Sequence, residues 1–537
     1  MQVFALRRGA ATTVYTAQFF HAGMAMLAAW ALGCFVSRYV GRAAGVAAAV
    51  TFLALPWSLI TGTLAYDEMA ALAFGAMALV VVFDDIGQTA RGAMLAGLFG
   101  GAALLAKLSC GILIVPPILL VVLLRLSRPA EATAPPPAPV RGRGGAGLRL
   151  AGGMALGVAL LLAPYLARNA RWTGNPVFPF SASLLGRGHW SADSAARWNA
   201  VHHPPLRWQD SARHLWDRCI TSTGFGAVAG SPRRLGTPSQ ENQDIARFDF
   251  EGGIPVLWLG ALAGGLLLLF SRATRRLASA MLLMLVLQAA IWLVFTHQQS
   301  RFLLPAALPA CILAGVGAGR MEQLLRFRAR IAYPAVVLIV TGTLVMTCFL
   351  VYLGQTRRWD PQRQEWAWLP TPTPVASLET HIPPPDLAAG RYQAPGDHVL
   401  NSIPDLKRVL LIADTSSLLY LRVPMAYNTA FDACVLGELI RKDGDDPHAI
   451  ARDMRELGFS HLWVNWSELS RLSSSSYGYD PSVTPERVFQ IVRTWREIYR
   501  APPPAPTTPG GPVPWPHISL YVIPDLSHIP PTPGAPR

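Results

Sequence analysis

Two adjacent acids, Asp67 and Glu68, stand in the turn Thr63-Leu64-Ala65-Tyr66-Asp67-Glu68 between two apolar runs. Ionisable groups beside membrane-length segments are costly, so they are the first candidates for function. A carboxylate here can act as a general base or a metal ligand facing a cavity at membrane level. It can also cap the following helix, with Asp67 accepting backbone N–H groups and Glu68 favoured by the helix dipole. Both readings can hold together.

Three further stretches carry cations in comparable turns. Lys107, in Leu104-Leu105-Ala106-Lys107-Leu108-Ser109, is the single lysine of the first 406 residues. It either snorkels to the interface or presents a point charge to an anion such as phosphate. Arg168 and Arg171 lie in Arg168-Asn169-Ala170-Arg171-Trp172-Thr173-Gly174-Asn175-Pro176, where Gly174-Asn175-Pro176 marks a turn. Arg301, in His297-Gln298-Gln299-Ser300-Arg301-Phe302, enters an apolar run at its head. Arginine suits phosphate because its planar fork grips two oxygens at once. An acid beside such cations could take a proton from an acceptor hydroxyl while the cations stabilise a phosphate leaving group. A lipid phosphate fits: the tail lies in the bilayer and the head at its surface.

The elements that must position these residues follow from composition. The chain has 537 residues, 52% hydrophobic and 15% charged, with a mean hydropathy of +0.32. Soluble domains carry about 25% charged residues, so a soluble globular protein and dominant disorder are both excluded. Apolar runs of membrane-crossing length recur instead. Ten spans are expected, near 17–36, 43–65, 66–83, 92–107, 109–124, 150–167, 254–270, 277–295, 302–319 and 331–354.

The charge excess of +14 is nearly all arginine and falls mainly between spans, which membrane topology explains better than nucleic-acid binding. Arg38, Arg42, Arg125, Arg128, Arg141, Arg143, Arg149, Arg272, Arg275, Arg276, Arg320, Arg326, Arg328 and Arg330 mark one set of loops, which the positive-inside rule places in the cytoplasm. The turns at 64–68, 107–109 and 296–301, the segment 168–253 and the tail from 355 then face outward, all four site stretches among them. Arg7 and Arg8 conflict with an outward N-terminus, and we expect an upstream span to be missing.

Residues 129–146 read as a flexible linker, and 501–516 and 529–537 as extended Pro-rich segments. From about 405 the character becomes soluble. Strands are expected at 408–414, 425–428, 461–465 and 517–524. Helices are expected in FDACVLGELIRK, DPHAIARDMRELG and TPERVFQIVRTWREIYR. This alternation predicts a small α/β domain, without a nucleotide motif. The expected domains are 1–354, a membrane domain with an external loop at 168–253 and a cytoplasmic linker at 125–149; 355–404, a linker; and 405–537, an α/β domain with a Pro-rich tail. The six cysteines form no disulfide framework. His189, Asp193, His202 and His203 fit no metal motif, and His21 lies near the outer end of the first span.

The stretches LPWSLITGTLAYDEMAALAFGAMAL (55–79), GLFGGAALLAKLSCGILIVPPILLVVLL (97–124), ARNARWTGNPVFPF (167–180) and QSRFLLPAALPACILAGVGAG (299–319) resemble integral-membrane glycosyltransferases of the GT-C superfamily. The likeness is to bacterial relatives of protein O-mannosyltransferases, aminoarabinose transferases and rhizobial lipopolysaccharide glycosyltransferases. It implies an α-helical polytopic fold and transfer of a sugar from a polyprenyl-phosphate donor to a lipid, glycan or protein acceptor outside the membrane, usually with inversion. The resemblance carries the turn acid onto Asp67 or Glu68, the lysine onto Lys107 and the phosphate-side arginine onto Arg301. Arg168 and Arg171 join them as phosphate contacts, and Tyr66, Asn175 and His297 as substrate contacts. No metal ligand is assigned, and a divalent metal stays open. The family's first span and its large, acid-bearing external loop have no counterpart here. A transporter or flippase of an amphiphilic substrate and an inactive assembly subunit are the alternatives. The first would show inverted repeats and midplane charges, neither of which is evident.

Overall fold

The computed structural model describes residues 10–63, 66–124, 126, 145–202, 255–296, 300–324, 357–360, 365–368, 396–414, 421–475, 478–501 and 518–525. The expected span at 331–354 and the candidate His297 lie outside these residues. The described chain is mainly helical and divides into two compact units. Of the described residues, the first holds those up to 171 and those from 255 to 368, and the second holds 172–202 and those from 396 onward.

The first unit is a bundle of apolar helices. Its elements are α1 (Ala10–Val40), α2 (Arg42–Leu53), α3 (Pro56–Thr63), α4 (Glu68–Val82), α5 (Ala90–Ala106), α6 (Leu108–Leu123), α7 (Gly145–Thr173), α10 (Pro255–Leu269), α11 (Arg275–Phe295) and α12 (Ala307–Leu324). The helices α8 (Ala182–Leu185) and α9 (Ala192–His202) between them belong to the second unit. Among the described residues, four stretches are long and apolar enough to cross a bilayer: Ala17–Val40, Gly147–Thr173, Arg275–Phe295 and Arg301–Met321. Others are shorter, with 15 residues in α4, 17 in α5 and 16 in α6.

One expected span is corrected. The apolar run 43–65 is two helices, α2 and α3, separated at Ala54 and Leu55. Pro56 has no N–H to continue the first helix but suits the first turn of the second. The run at 302–319 likewise begins as a 3-10 turn, Ser300–Ala306, before α12.

Lipid tails are as apolar as leucine, so these helices associate through close packing rather than water exclusion. The α5–α7 seam shows how. A Cβ on Gly97 would overlap the carbonyl of Met154, and one on Gly157 the carbonyl of Met94. On α1 the buried residues Ala25, Ala28, Leu32 and Phe35 recur every three or four positions, forming one stripe. Ala25 meets Gly62 of α3, next to Met69 of α4.

The second unit holds a five-stranded sheet, ordered β4-β3-β5-β7-β6. Its strands are β3 (Val409–Ile412), β4 (Met425–Ala426), β5 (His461–Asn465), β6 (Arg496–Ala501) and β7 (Ile518–Val522). A separate hairpin, β1 (Arg357–Asp360) with β2 (Glu365–Trp368), precedes it in the chain. The β4-β3-β5 part is parallel and the β5-β7-β6 part antiparallel. Every residue of β3 is buried, as a strand covered on both faces requires. Leu410 and Ile412 enter one apolar cluster, Val409 and Leu411 the other.

The helices are α13 (Gly396–Asn401), α14 (Val435–Asp443), α15 (Pro447–Glu456), α16 (Trp466–Ser474) and α17 (Pro485–Val492). Asp446, Asn465 and Thr484 accept the N-cap bonds of α15, α16 and α17. One expectation is overturned here. The stretch 484–500 is helical only to Val492, and Arg496–Ala501 is the edge strand β6. The helix α16 was not expected.

Residues 172–202 pack into the same unit. Trp190 Nε1 donates to Asp432 Oδ1 at 2.9 Å, and His189 Nε2 lies 3.1 Å from the same oxygen. Arg197 donates to the carbonyls of Tyr479 at 2.6 Å and Ala430 at 3.2 Å. Burial alone would raise the pKa of Asp432. Donors from Thr429, Trp190 and His189 outweigh it and hold the carboxyl below its ordinary value.

Candidate functional site

Asp67 occupies the N-cap position of α4, yet its side chain makes no capping bond. Its carboxylate turns to Lys107, with Oδ1 3.1 Å from Nζ. Glu68, the first residue of α4, places Oε1 2.5 Å from the same Nζ. The two acids therefore flank one ammonium, and the capping reading does not describe Asp67.

Their environments differ. The Glu68 side chain is fully buried, and Lys107 is 16% exposed. The Asp67 side chain is 55% exposed. Glu68 Oε2 is buried without a hydrogen-bond partner. Such an atom costs free energy unless a further group meets it. The pair thus divides labour: Glu68 fixes Lys107, and Asp67 shares that ammonium while facing outward.

Lys107 owes its position to two helices. It is the last capping residue of α5 and the first of α6, in an extended conformation. A single residue between two helices leaves its ammonium little freedom. The N-terminus of α6 beside it also favours negative charge.

Arg301 comes from the 3-10 turn that leads into α12. Its guanidinium lies 5.5 Å from the centre of the Tyr66 ring and 5.0 Å from that of Phe302. Lys107 Nζ lies 5.6 Å from the same Phe302 ring. Two cations therefore share one aromatic ring at cation–π distance. Arg301 Nε is buried and unpaired. Phe302 was not singled out in the sequence, although an aromatic directly after an arginine was the available signal.

Asp67, Glu68, Lys107, Arg301 and Tyr66 thus form one cluster. Arg168 and Arg171 lie on the last turns of α7, both exposed, with Arg168 over the ring of Tyr165. Asn175 lies in the second unit and is fully buried. Its Nδ2 donates to the carbonyls of Phe180 and Gly186, and its Oδ1 accepts from Val177 N–H. The loop's own backbone occupies that amide. His189 pairs with Asp432, and His202 stacks on Trp198. Among the described residues no group of three His, Cys, Asp or Glu is placed to hold a metal.

The cluster can take a proton, at Asp67, and can neutralise an anion, at Lys107 and Arg301.

No protein-family description matches the chain, and no curated protein sequence matches it. Solved structures do. An arabinofuranosyltransferase, AftD, from Mycobacteria is similar over 95% of this chain at 15% identity and a TM-score of 0.45. The match spans 34% of that protein's length. ArnT from Cupriavidus metallidurans is similar over 94% of this chain and 83% of its own, at 13% identity and a TM-score of 0.47. The Archaeoglobus fulgidus oligosaccharyltransferase is similar over 86% of this chain and 57% of its own, at 14% identity and a TM-score of 0.46. ArnT has been solved with undecaprenyl phosphate, and the archaeal enzyme with an inhibitory peptide and a dolichol-phosphate.

Proposed function

We propose that this chain is a glycosyltransferase of the GT-C type, moving a sugar from a polyprenyl-phosphate donor to a hydroxyl-bearing acceptor. The supporting observation is the convergence of an exposed carboxylate with two cations at the ends of apolar helices. A donor whose tail lies in lipid brings its phosphate to that level. We place the protein in a bacterial inner membrane, with the site and the C-terminal unit on the outer side, on the arginine distribution of the loops.

The chemistry follows from the side chains. Asp67 accepts the proton of the acceptor hydroxyl as its oxygen attacks the anomeric carbon. The bond from that carbon to the phosphate oxygen breaks, and the polyprenyl phosphate leaves with the electron pair. Lys107 and Arg301 stabilise the charge that builds on the phosphate. Glu68 holds Lys107 and does not meet the acceptor. Attack opposite the leaving group inverts the configuration. Tyr66, beside Arg301, would line the sugar pocket. Arg168 and Arg171 would meet donor or lipid phosphate from α7.

The test is transfer of radiolabelled sugar from polyprenyl-phosphate donors by the purified protein. Asp67→Asn should lower transfer by about 10²- to 10⁴-fold and Arg301→Ala should weaken it. Wild-type activity in both variants would remove the assignment. Flux of donor across proteoliposomes without covalent product would favour a flippase.

A further inference from the structure

Beyond the acid and the two cations, α1 brings one more titratable group to the cluster. Helical spacing continues the face of the buried Ala25, Ala28, Leu32 and Phe35 one turn toward the N-terminus to His21. Ala25 packs against Gly62 and lies beside Met69, the residue after Glu68. One turn beyond Ala25 is therefore the level of Asp67 and Glu68. The His21 side chain is half-buried at that level. Its Nδ1 is buried and has no hydrogen-bond partner. Phe20 sets its edge against the ring, with centroids 6.0 Å apart.

The other charged groups on elements packed against α1 are remote. Arg42 opens α2 at the opposite end of the bundle. Arg320 of α12 follows Gly319, which meets Val40 at that same end. The described part of α3 contains no charged residue. Among the described residues, Asp67 and Glu68 are thus the carboxylates at the level of His21, with Lys107 held between them.

We propose that His21 is a proton-holding residue that acts through Asp67. This rests on the glycosyltransferase reading above. Each turnover leaves one proton on Asp67, and the next acceptor needs that carboxylate ionised. A neutral imidazole takes the proton from the Asp67 carboxyl as its ring nitrogen forms the N–H bond, then releases it to water. No bond to carbon is involved, and no other reactant is required. His21 does not touch the donor, so it alters turnover rather than donor binding.

The experiment is the pH dependence of kcat and KM for sugar transfer by wild type, His21→Gln and His21→Asn. The expected result is a kcat lowered about 100-fold, within the range of proton-transfer catalysis, with donor KM changed less than about twofold. The inflection that imidazolium adds to the acid limb of the kcat profile, where it blocks the relay, should be lost in both variants. A wild-type profile in His21→Gln overturns the proposal. Absence of transfer by the wild type instead overturns the glycosyltransferase reading. The relay is then judged by carbethoxylation of His21, read by mass spectrometry across pH. Asp67→Asn should change that pH dependence, and an unchanged dependence overturns the coupling.

Discussion

Replacing Lys107 with methionine removes the ammonium that lies 2.5 Å from Glu68 and 3.1 Å from Asp67, and keeps an unbranched chain of similar volume. The two carboxylates feel this unequally. Asp67 is 55% exposed, and such a pair is worth only about 0–1 kcal/mol. Glu68 is fully buried, and stripping the partner from a buried pair costs about 3–5 kcal/mol. Lys107→Met should therefore destabilise the bundle by about 3–5 kcal/mol, nearly all of it through Glu68. The double variant Lys107→Met/Glu68→Gln removes the orphaned charge and should regain at least about 2 kcal/mol, since a neutral replacement of a buried pair is often tolerated. Transfer should stay lost in both, because the phosphate has lost a cation. Unfolding of the detergent-solubilised protein by dodecyl sulfate, followed by tryptophan fluorescence, measures the first part, and radiolabelled transfer the second. A loss below about 1 kcal/mol in the single variant, or no recovery in the double, would refute the division between a buried anchor and an exposed base.

Other outcomes are specific. Asp67→Asn should lower kcat by about 10²- to 10⁴-fold and leave the unfolding midpoint nearly unchanged, which steady-state transfer and the same unfolding assay can show. Arg301→Lys keeps the charge but loses the fork, and should raise the donor KM while retaining measurable turnover. The Asp432 carboxyl titrates below its ordinary value of 3.8, so the stability it lends is present above that pH and is lost as pH falls through its folded pKa. Asp432→Asn should lose about 1.5–3 kcal/mol of hydrogen bonding to a charged group, and deuterium exchange should rise across 189–198 at neutral pH. Burial pushes the Cys434 thiol up to about 11, so in a variant whose other cysteines are serine, maleimide at pH 8 should modify it only after unfolding.

Much of this site was legible in the sequence because its residues break local rules. Lys107 is a lysine in a chain that otherwise uses arginine up to residue 406, and it interrupts an apolar run. Asp67 and Glu68 are adjacent acids between apolar segments, and Arg301 heads one. The partner of each was not legible. Glu68 and Lys107 are 39 positions apart, and only helix packing brings them together. Nor could periodicity rank the two acids, since burial depends on neighbours from other helices. His21 was visible as a residue near a span end, but its orientation depends on which face of α1 packs inward. The break at Pro56 was available from proline's missing donor. The strand at Arg496–Ala501 was not, because it pairs with β7 rather than with anything local. The same holds for residues 172–202, where Trp190 finds Asp432 across 242 positions.

The brevity of α4, α5 and α6 has a mechanical result. At about 1.5 Å per residue these helices extend for about 23–26 Å, against a hydrocarbon thickness of about 30 Å. The ion-paired turn cannot rise clear of the acyl region unless the bilayer thins locally around it. An isoprenoid carrier drifting in the plane would then meet its phosphate site in a dimple, without first being lifted toward water. On the function proposed above, membrane thickness would control turnover, with shorter-chain lipids matching this hairpin and longer ones burying it.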